Sequence, residues 1–574
     1  MEYPYLFVIG APSGGTGDHS LDLKLKAKGM SCRFKCELGR LFTHPLAPVV
    51  EIPGQGLLLG AVFDRDGTRI PHRIDLDASP ESTVTEILRR VWGNYLALLF
   101  DRHSLRVMRD PSGSVDCVYA FESGRGFITS HISLAVGLGI YRRDVDWEAV
   151  AHSLQFPFMK TARTALKRIN ELPPGCELHI ADEVCSIRTA WSPWQFVVPE
   201  IRHRDAEVAS QQLRKTVSRV VNSFSSLGRR HMVELSGGLD SSIVSMSLRD
   251  LASEVVFCTI TMPASGTDES AYARAVTDAL GQPLLPVEIG AERARFRFPV
   301  HAASVRPSTG ILQDASNQLW DPLAHQHGID SFFSGGGGDS IFCYLKTAAP
   351  AADAFLERGI KAGFLAIRDL SSLHKCTLWK AGRLTLKKLR RGARRGWKQD
   401  RMLLARDCLV EQPDLHPWLQ APENALPGDH EKIQDLVGTQ LFREATPRNN
   451  GKPLYFPLLS QPVMEACLPV PSWMWISGGR DRAIARNAFA DVLPAAIANR
   501  RSKGSYTGYL AAVYSRNKQA MRAFLMDGEL RAQGLLDPDA LERYFDRDLS
   551  PRDITFTRIF ELCAAENWVQ GQMI

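Results

Sequence analysis

Residues 233–245 read Val-Glu-Leu-Ser-Gly-Gly-Leu-Asp-Ser-Ser-Ile-Val-Ser, and the order of residue types in this stretch sets the architecture of the chain. A short apolar run leads into Ser236-Gly237-Gly238-Leu239-Asp240-Ser241-Ser242, and an apolar-periodic segment follows. The pattern reads as a strand, a glycine turn and the start of a helix. Paired glycines at such a turn let backbone N–H groups converge on an anion, and the helix N-terminus adds partial positive charge. The hydroxyls of Ser236, Ser241 and Ser242 are further donors toward phosphate oxygens. A carboxylate cannot usefully touch phosphate, so the natural task of Asp240 is to hold Mg²⁺. No Gly-Lys-Ser/Thr follows the glycines, so the loop is not of the Walker A type.

The flanking sequence extends this reading. Helical and strand-like segments alternate: helix 205–224, strand 231–235, helix 241–251, strand 255–261, helix 268–280, strand 284–288, helix 318–327 and strand 330–334. Such alternation predicts a parallel sheet with helices on both faces. In open sheets of this kind the ligand sits at the C-terminal ends of the strands, where residues 236–242 fall. The first ~195 residues differ. They carry short β-like runs at 5–9, 49–52, 57–62, 95–100, 104–109, 118–121, 126–129 and 177–180, separated by turns such as Pro111-Ser112-Gly113 and Pro173-Pro174-Gly175. Residues 146–155 read as a helix. The pattern changes at 193–204, and beyond about 350 the chain reads mainly helical. The expected fold is thus mixed α/β and α+β in two domains: a layered, β-rich domain over 1–195, and a parallel-sheet domain with a helical tail over 196–574.

Bulk properties exclude several classes. A net charge of +6 on 574 residues leaves no global nucleic-acid footprint. The 11 cysteines are scattered and include no Cys-x-x-Cys pair, which predicts reduced thiols in a cytoplasmic protein. The start, Met-Glu-Tyr-Pro-Tyr-Leu-Phe-Val-Ile-Gly, lacks the basic and long apolar regions of a signal peptide. No apolar run reaches the ~18–20 residues that span a bilayer. A basic run at 375–401 includes Lys387, Lys388, Arg390, Arg391, Arg394 and Arg395, with Asp400 its sole acid. It reads as a solvated helical insertion or as a docking surface for an acidic peptide or partner. Nucleic acid is disfavoured because no base-stacking module accompanies it.

The loop 236–242 resembles the pyrophosphate-binding loop of the ATP pyrophosphatases, which split ATP into AMP and pyrophosphate to activate a carboxylate or carbonyl oxygen. Further motifs widen the resemblance: Asp268-Glu269-Ser270, Tyr272-Ala273-Arg274 and Leu280-Gly281; Ser-Gly-Gly-Gly-Gly-Asp-Ser-Ile-Phe-Cys-Tyr at 334–344; Tyr-Phe-Pro-Leu-Leu-Ser at 455–460; and Leu-Pro-Ala-Ala-Ile-Ala-Asn-Arg-Arg-Ser-Lys-Gly at 493–504. In this order they resemble the synthetase domain of asparagine synthetases. Arg109-Asp110-Pro111-Ser112-Gly113, Thr129-Ser130 and Leu172-Pro173-Pro174-Gly175 resemble that family's glutaminase domain, an Ntn-type fold. The resemblance covers 90–574 well and 1–90 weakly. It implies ATP and Mg²⁺ as cofactors, Asp240 and Asp339 as the metal pair, and Lys503 with Asp240 as catalytic groups. The implied ATP and pyrophosphate contacts are Ser236, Gly237, Gly238, Asp240, Ser241, Ser242, Ile260, Gly335 and Lys503. Arg480, Arg482 and Arg486, on an expected helix, are further phosphate candidates.

Three departures from that pattern narrow the expectation. A glutamine-dependent enzyme of this family uses an N-terminal Cys as nucleophile; here Met1 precedes Glu2, Tyr3 and Pro4, and the first cysteine is Cys32. The family's Ser-Gly-Glu-Gly-x-Asp-Glu becomes Ser334-Gly335-Gly336-Gly337-Gly338-Asp339-Ser340, losing both glutamates. Ser460 stands where the asparagine synthetase pattern carries Asp. The chain then looks most like a lasso peptide cyclase, with a β-lactam-type or other small-molecule amide synthetase as the alternative. A non-catalytic scaffold is disfavoured by the intact 236–242 string. The expected reaction adenylates an Asp or Glu side chain of a ribosomal precursor peptide, after which the peptide's N-terminal amine closes the ring. An α-amine, with a pKa of ~7.7–8.0, is far more often free base at pH 7 than a lysine at ~10.4. The expected partners are the precursor peptide, a leader peptidase and a leader-binding protein, with no nucleic acid and no membrane span.

Overall fold

The computed structural model describes residues 3–10, 16–77, 79, 82–101, 103–181, 183–249, 251, 253–262, 269–301, 303–307, 310–392, 399–444, 451–501, 504, 506–550 and 552–573. Its first part is built from β1 (Tyr5–Ile9), β2 (Ser31–Cys36), β3 (Gly39–Thr43), β4 (Val49–Ile52), β5 (Gly56–Asp64), β6 (Val91–Phe100), β7 (Ser104–Arg109), β8 (Val118–Glu122), β9 (Arg125–Thr129), β10 (Asn170–Glu171), β11 (Cys176–Ala181) and β12 (Val184–Thr189). These strands form two antiparallel sheets, ordered β10-β8-β9-β1-β3-β2 and β12-β11-β7-β6-β5-β4.

Side-chain alternation explains how the sheets stack. Tyr5, Phe7 and Ile9 of β1 meet Leu57, Leu59, Leu96, Leu98, Val107 and Leu178 between the two sheets. The alternate residues Leu6 and Val8 point the other way, into a core that continues through Tyr509, Val513 and Trp568 of the C-terminal helices. The outer face of the second sheet, with Val50, Leu58, Tyr95 and Met108, packs against Val217, Val221 and Phe224 of the helix Ala206–Ser225. Both sheets are therefore covered on both faces, and β1, β3 and β7 are buried along their whole length.

The second part carries β13 (Arg230–Glu234), β14 (Glu254–Thr261), β15 (Leu284–Glu288), β16 (Ser331–Ser334) and β17 (Leu454–Tyr455) in one parallel sheet, ordered β15-β14-β13-β16-β17. From β13 the chain moves outward through β14 and β15, then returns to place β16 on the other side of β13. That reversal opens a crevice at the strand ends between β13 and β16. The register pairs Glu234 with Ser334, so the loops that follow the two strands lie side by side.

The expected strands at 5–9, 49–52, 104–109 and 284–288 keep their bounds. The expected helix 318–327 begins earlier, at Ile311, and runs through Pro322 to Gln326. The helix after β13 is shorter than expected, Leu239–Ser247. Strand β3, the edge strands β2 and β12, and the two-residue strands β10 and β17 were not foreseen. All 11 cysteines are free thiols, and no helix among the described residues is long and apolar enough to cross a membrane.

A buried charge network joins the two parts. Arg109 is fully buried and donates to the carbonyls of Val115 (2.7 Å), Gly113 (2.8 Å) and Leu172 (2.8 Å) and to Glu171 (2.5 Å). Glu171 also pairs with Lys160 (2.8 Å) and with Arg306, and both cations reach Glu444. Removing the central anion leaves several cations uncompensated, which for a buried pair costs about 3–5 kcal/mol. Glu171→Ala is expected to lose stability on that scale in chemical unfolding; a loss under about 1 kcal/mol would show that the network is not needed.

A second buried carboxylate carries a pH dependence. Asp353 is fully buried and accepts from the Gly428 amide (2.9 Å) and the Ser472 hydroxyl (2.5 Å). Burial, reinforced by neighbouring Asp429, raises its pKa from 3.8 to about 8. The folded state thus holds a proton that the unfolded chain releases above pH ~4, so this group's stabilisation is complete below 3.8 and is lost as pH rises through about 8. Asp353→Asn is expected to flatten the fall in Tm between pH 5 and 8; an unchanged Tm profile would refute the assignment.

Candidate active site

The turn after β13 is shaped by steric demands that only glycine meets. Gly237 has φ +68°, and a Cβ there would lie 2.5 Å from the Cβ of Tyr272. Gly238 caps the helix Leu239–Ser247. Ser236 is exposed, and its Oγ accepts from the Gly238 amide (3.3 Å) and lies 3.1 Å from the Ser241 Oγ. Ser241 and Ser242 are buried, and both hydroxyls donate to the Gly238 carbonyl, at 3.3 and 2.7 Å. Of the three serines expected to face phosphate, Ser236 is the one with an open side; Ser241 and Ser242 brace the first helical turn.

The turn after β16 presses against this one. A Cβ on Gly335 would collide with the backbone of Asp240 and Ser241, and one on Gly338 would collide with the Asp240 carboxylate. Gly337 has φ +86°. The glycine run therefore lets two backbones approach more closely than side chains allow. At Gly336 a Cβ would meet Phe456 at 2.8 Å and Phe442 at 2.9 Å, so aromatic rings cover the position where the family pattern carries glutamate.

Asp240 and Asp339, a hundred residues apart in sequence, converge on one cation. A single nitrogen of Arg482, Nη1, lies 2.8 Å from Asp339 and 3.3 Å from Asp240. Burial alone would lower the Arg482 pKa, but the carboxylates of Asp240, Asp481 and Asp339 outweigh it and raise the value. The guanidinium also lies 4.8 Å from the Tyr344 ring centroid. Two carboxylates about one point suit Mg²⁺, which takes one or two of them and completes its shell with water and substrate phosphates. Among the described residues no cluster of three or more His, Cys, Asp or Glu is arranged for a metal.

The three arginines expected on one phosphate-facing helix separate. The helix begins at Ala483, with Arg482 as its cap at φ +50°. Arg480 precedes it in a turn with Ser477. Arg486 is buried and donates to the carbonyls of Asp481 (2.9 Å), Ile497 (3.2 Å), Ala498 (2.9 Å) and Arg500 (3.0 Å), so its donors hold the backbone of 481–500. Arg500, not singled out in the sequence, donates to the Gly237 carbonyl (2.9 Å), pairs with Glu269 and stacks on Tyr272 at 3.9 Å. Lys503 lies outside the described residues; on either side of it, Arg500 pairs with Glu269 and a Cβ on Gly504 would collide with the same carboxylate. Ile260 sits near the C-terminal end of β14, two residues past Cys258, whose carbonyl accepts from the Leu235 amide (2.8 Å), and its side chain packs into the apolar layer with Trp320 and Phe332.

Phe442 and Phe456, which meet Gly336, also line a cavity of about 760 Å³ between the antiparallel sheets and the parallel-sheet part. Its walls include Asp116, His131, Arg306, Asn317, Phe442 and Phe456. Burial lowers the His131 pKa to about 4, which keeps its ring neutral.

A family model described as asparagine synthase matches residues 210–570, the greater part of the chain. The chain belongs to the asparagine synthase family. It is accordingly an ATP-dependent carbon–nitrogen ligase that forms an amide bond. Comparison with curated proteins finds no match. Similar solved structures include the allosteric regulatory enzyme of purine biosynthesis, at 9% identity and a TM-score of 0.23, covering 57% of this chain and 89% of that one. Another is glutamine phosphoribosylpyrophosphate amidotransferase from B. subtilis complexed with ADP and GMP, at 12% identity and a TM-score of 0.19, covering 58% of this chain and 81% of that one.

The contact between the ligase's two glycine turns yields a direct test. Gly335→Ala forces the Asp240–Ser241 backbone aside, and overpacking of this kind costs about 1–3 kcal/mol. The variant is expected to fold, to lose that much stability, and to form AMP at least 100-fold more slowly; wild-type turnover would show that the two turns need not touch.

Proposed function

We propose that this ligase is a macrolactam synthetase acting on a ribosomal peptide. The carrying observation is that Gly336, where the family pattern carries glutamate, lies against Phe442 and Phe456, and both rings also line a cavity large enough for several peptide residues. A pocket for free aspartate would be compact; this cavity is broad, with Phe442 and Phe456 beside charged groups such as Arg443 and Glu444. In this reading residues 1–195 are a degenerate glutamine-amidotransferase-like domain of Ntn type that serves as one wall, and residues 196–574 are the adenylating domain.

A side-chain carboxylate of Asp or Glu in the peptide attacks the α-phosphorus of ATP and displaces pyrophosphate. Negative charge builds on the leaving oxygens, where preorganised donors and cations are most effective. Ser236 and the backbone of Gly237 and Gly238 supply donors, and Lys503 supplies a cation. Mg²⁺ held by Asp240 and Asp339 would neutralise charge on the polyphosphate. The N-terminal amine of the same peptide then attacks the acyl-adenylate and releases AMP. Because ring closure is intramolecular, alignment by the cavity walls is worth up to ~7–11 kcal/mol in model systems. A leader peptidase must expose that amine, and a leader-binding protein would deliver the precursor.

Incubation with ATP, Mg²⁺ and candidate precursor peptides is expected to yield AMP, pyrophosphate and a product lighter by one water. ADP as product would sink the adenylation scheme, and turnover with small amino acids alone would favour a small-molecule amide synthetase. Asp240→Asn and Lys503→Ala should each lower AMP formation at least 1,000-fold with the fold intact.

The metal reading has its own readout. Arg482 occupies the point where the two carboxylates converge, so an entering cation must displace it. Arg482→Met is expected to tighten Mn²⁺ binding at least tenfold in the absence of nucleotide, measured by electron paramagnetic resonance. Mn²⁺ binding that ignores both Arg482→Met and Asp240→Asn would place the metal elsewhere.

A further inference from the structure

The basic segment noted in the sequence forms the helix Leu378–Arg391, which packs beside the helix Ala349–Leu373. At about 100° per residue, Ala381, Thr385 and Lys388 share one face. Ala381 and Thr385 are buried there, with Ala381 packed against Ile367, Leu370 and Ile476, and Lys388 pairs with Glu431. The helix thus docks on the body through small side chains. Leu378 borders this face, whereas Leu386 and Trp379 lie on the outward side of the helix, and Trp379 is 84% exposed. The opposite sector carries Lys380, Arg383, Lys387, Arg390 and Arg391, and no Asp or Glu occurs between 375 and 392.

The neighbouring helix repeats the arrangement. Its backbone breaks at Gly359 (φ +79°), and beyond the break Gly363, Ile367 and Leu370 turn inward. Ile360 and Phe364, one turn apart and beside that buried face, are 71% and 63% exposed. Large apolar side chains left open on two packed helices signal an interaction surface.

We propose that this helix pair is a peripheral docking surface for an anionic phospholipid bilayer. Exposed Trp, Phe, Ile and Leu beside Lys and Arg on an amphipathic helix match a segment lying in the headgroup region. Clustered Lys and Arg are drawn to anionic lipid. The surface lies outside the ATP site, so binding there would bring the ligase to a membrane without a spanning helix.

Cosedimentation of the full chain tests this. Vesicles of phosphatidylcholine with phosphatidylglycerol are expected to bind at least tenfold more tightly than phosphatidylcholine alone, and about 1 M NaCl should weaken that binding by screening. The combined variant Ile360→Ser, Phe364→Ser and Trp379→Ser, and separately Lys387→Glu with Arg390→Glu, should each lose at least tenfold in vesicle binding while AMP formation stays at the wild-type rate. Equal binding to neutral and anionic vesicles would overturn the proposal, as would vesicle binding that these variants leave unchanged. So would capture of a synthetic acidic amphipathic peptide without vesicle binding, which would make this a protein-docking face.

Discussion

The parallel pairing of β13 with β16 is the constraint on which the rest of the site depends. It sets Glu234 beside Ser334 and so forces the two following turns into one crevice. Each turn then opens a helix whose first turn carries an aspartate. Glycine at 335 and 338 removes the side chains that would hold the turns apart, and the Asp240 carboxylate fills the space a Cβ on residue 338 would occupy. Close backbone approach, rather than any single hydrogen bond, brings the two carboxylates to a common point.

Placing two carboxylates together creates repulsion that the fold offsets with arginine. Arg482 bridges Asp240 and Asp339, and Arg486 orders Asp481 and the carbonyls of 497–500. Arg500 then returns to the Gly237 carbonyl. These residues tie the segment before Lys503 to the turn after β13. Arginine suits the task because its planar group offers five donors in fixed directions and keeps its charge when buried.

Much of the fold was legible because periodicity reports burial. Strand β1 is an apolar run, and β7 sets Leu105 and Val107 between Ser104, Arg106 and the turn at 111–113; both read as strands without any knowledge of neighbours. The edge strands β2 and β12 are largely exposed, so the residues that would mark a core-facing side bury little. The two-residue strands β10 and β17 are too short to leave a pattern; the first joins an edge of one antiparallel sheet and the second lengthens the parallel sheet. Within the site, the glycines and both aspartates were legible as motifs. Arg500 was not, because its partners, Gly237, Glu269 and Tyr272, lie more than two hundred residues away. Nor could sequence show that the Ser242 hydroxyl turns back to Gly238, since a serine in a first turn serves equally well as a phosphate donor or as a local brace.

The amino-acid sequence by itself determined that this chain holds a glycine-turned strand–turn–helix within alternating strands and helices, because glycine placement and hydrophobic period act over a few residues. Only the tertiary structure decided which groups meet: that Arg482 lies between Asp240 and Asp339, that Phe442 and Phe456 cover Gly336 beside a large cavity, and that one basic helix turns its small residues inward and its tryptophan outward. Those outcomes depend on contacts between segments a hundred or more residues apart and on which face of a helix the body buries. Both follow from sheet order and packing, which no local pattern records.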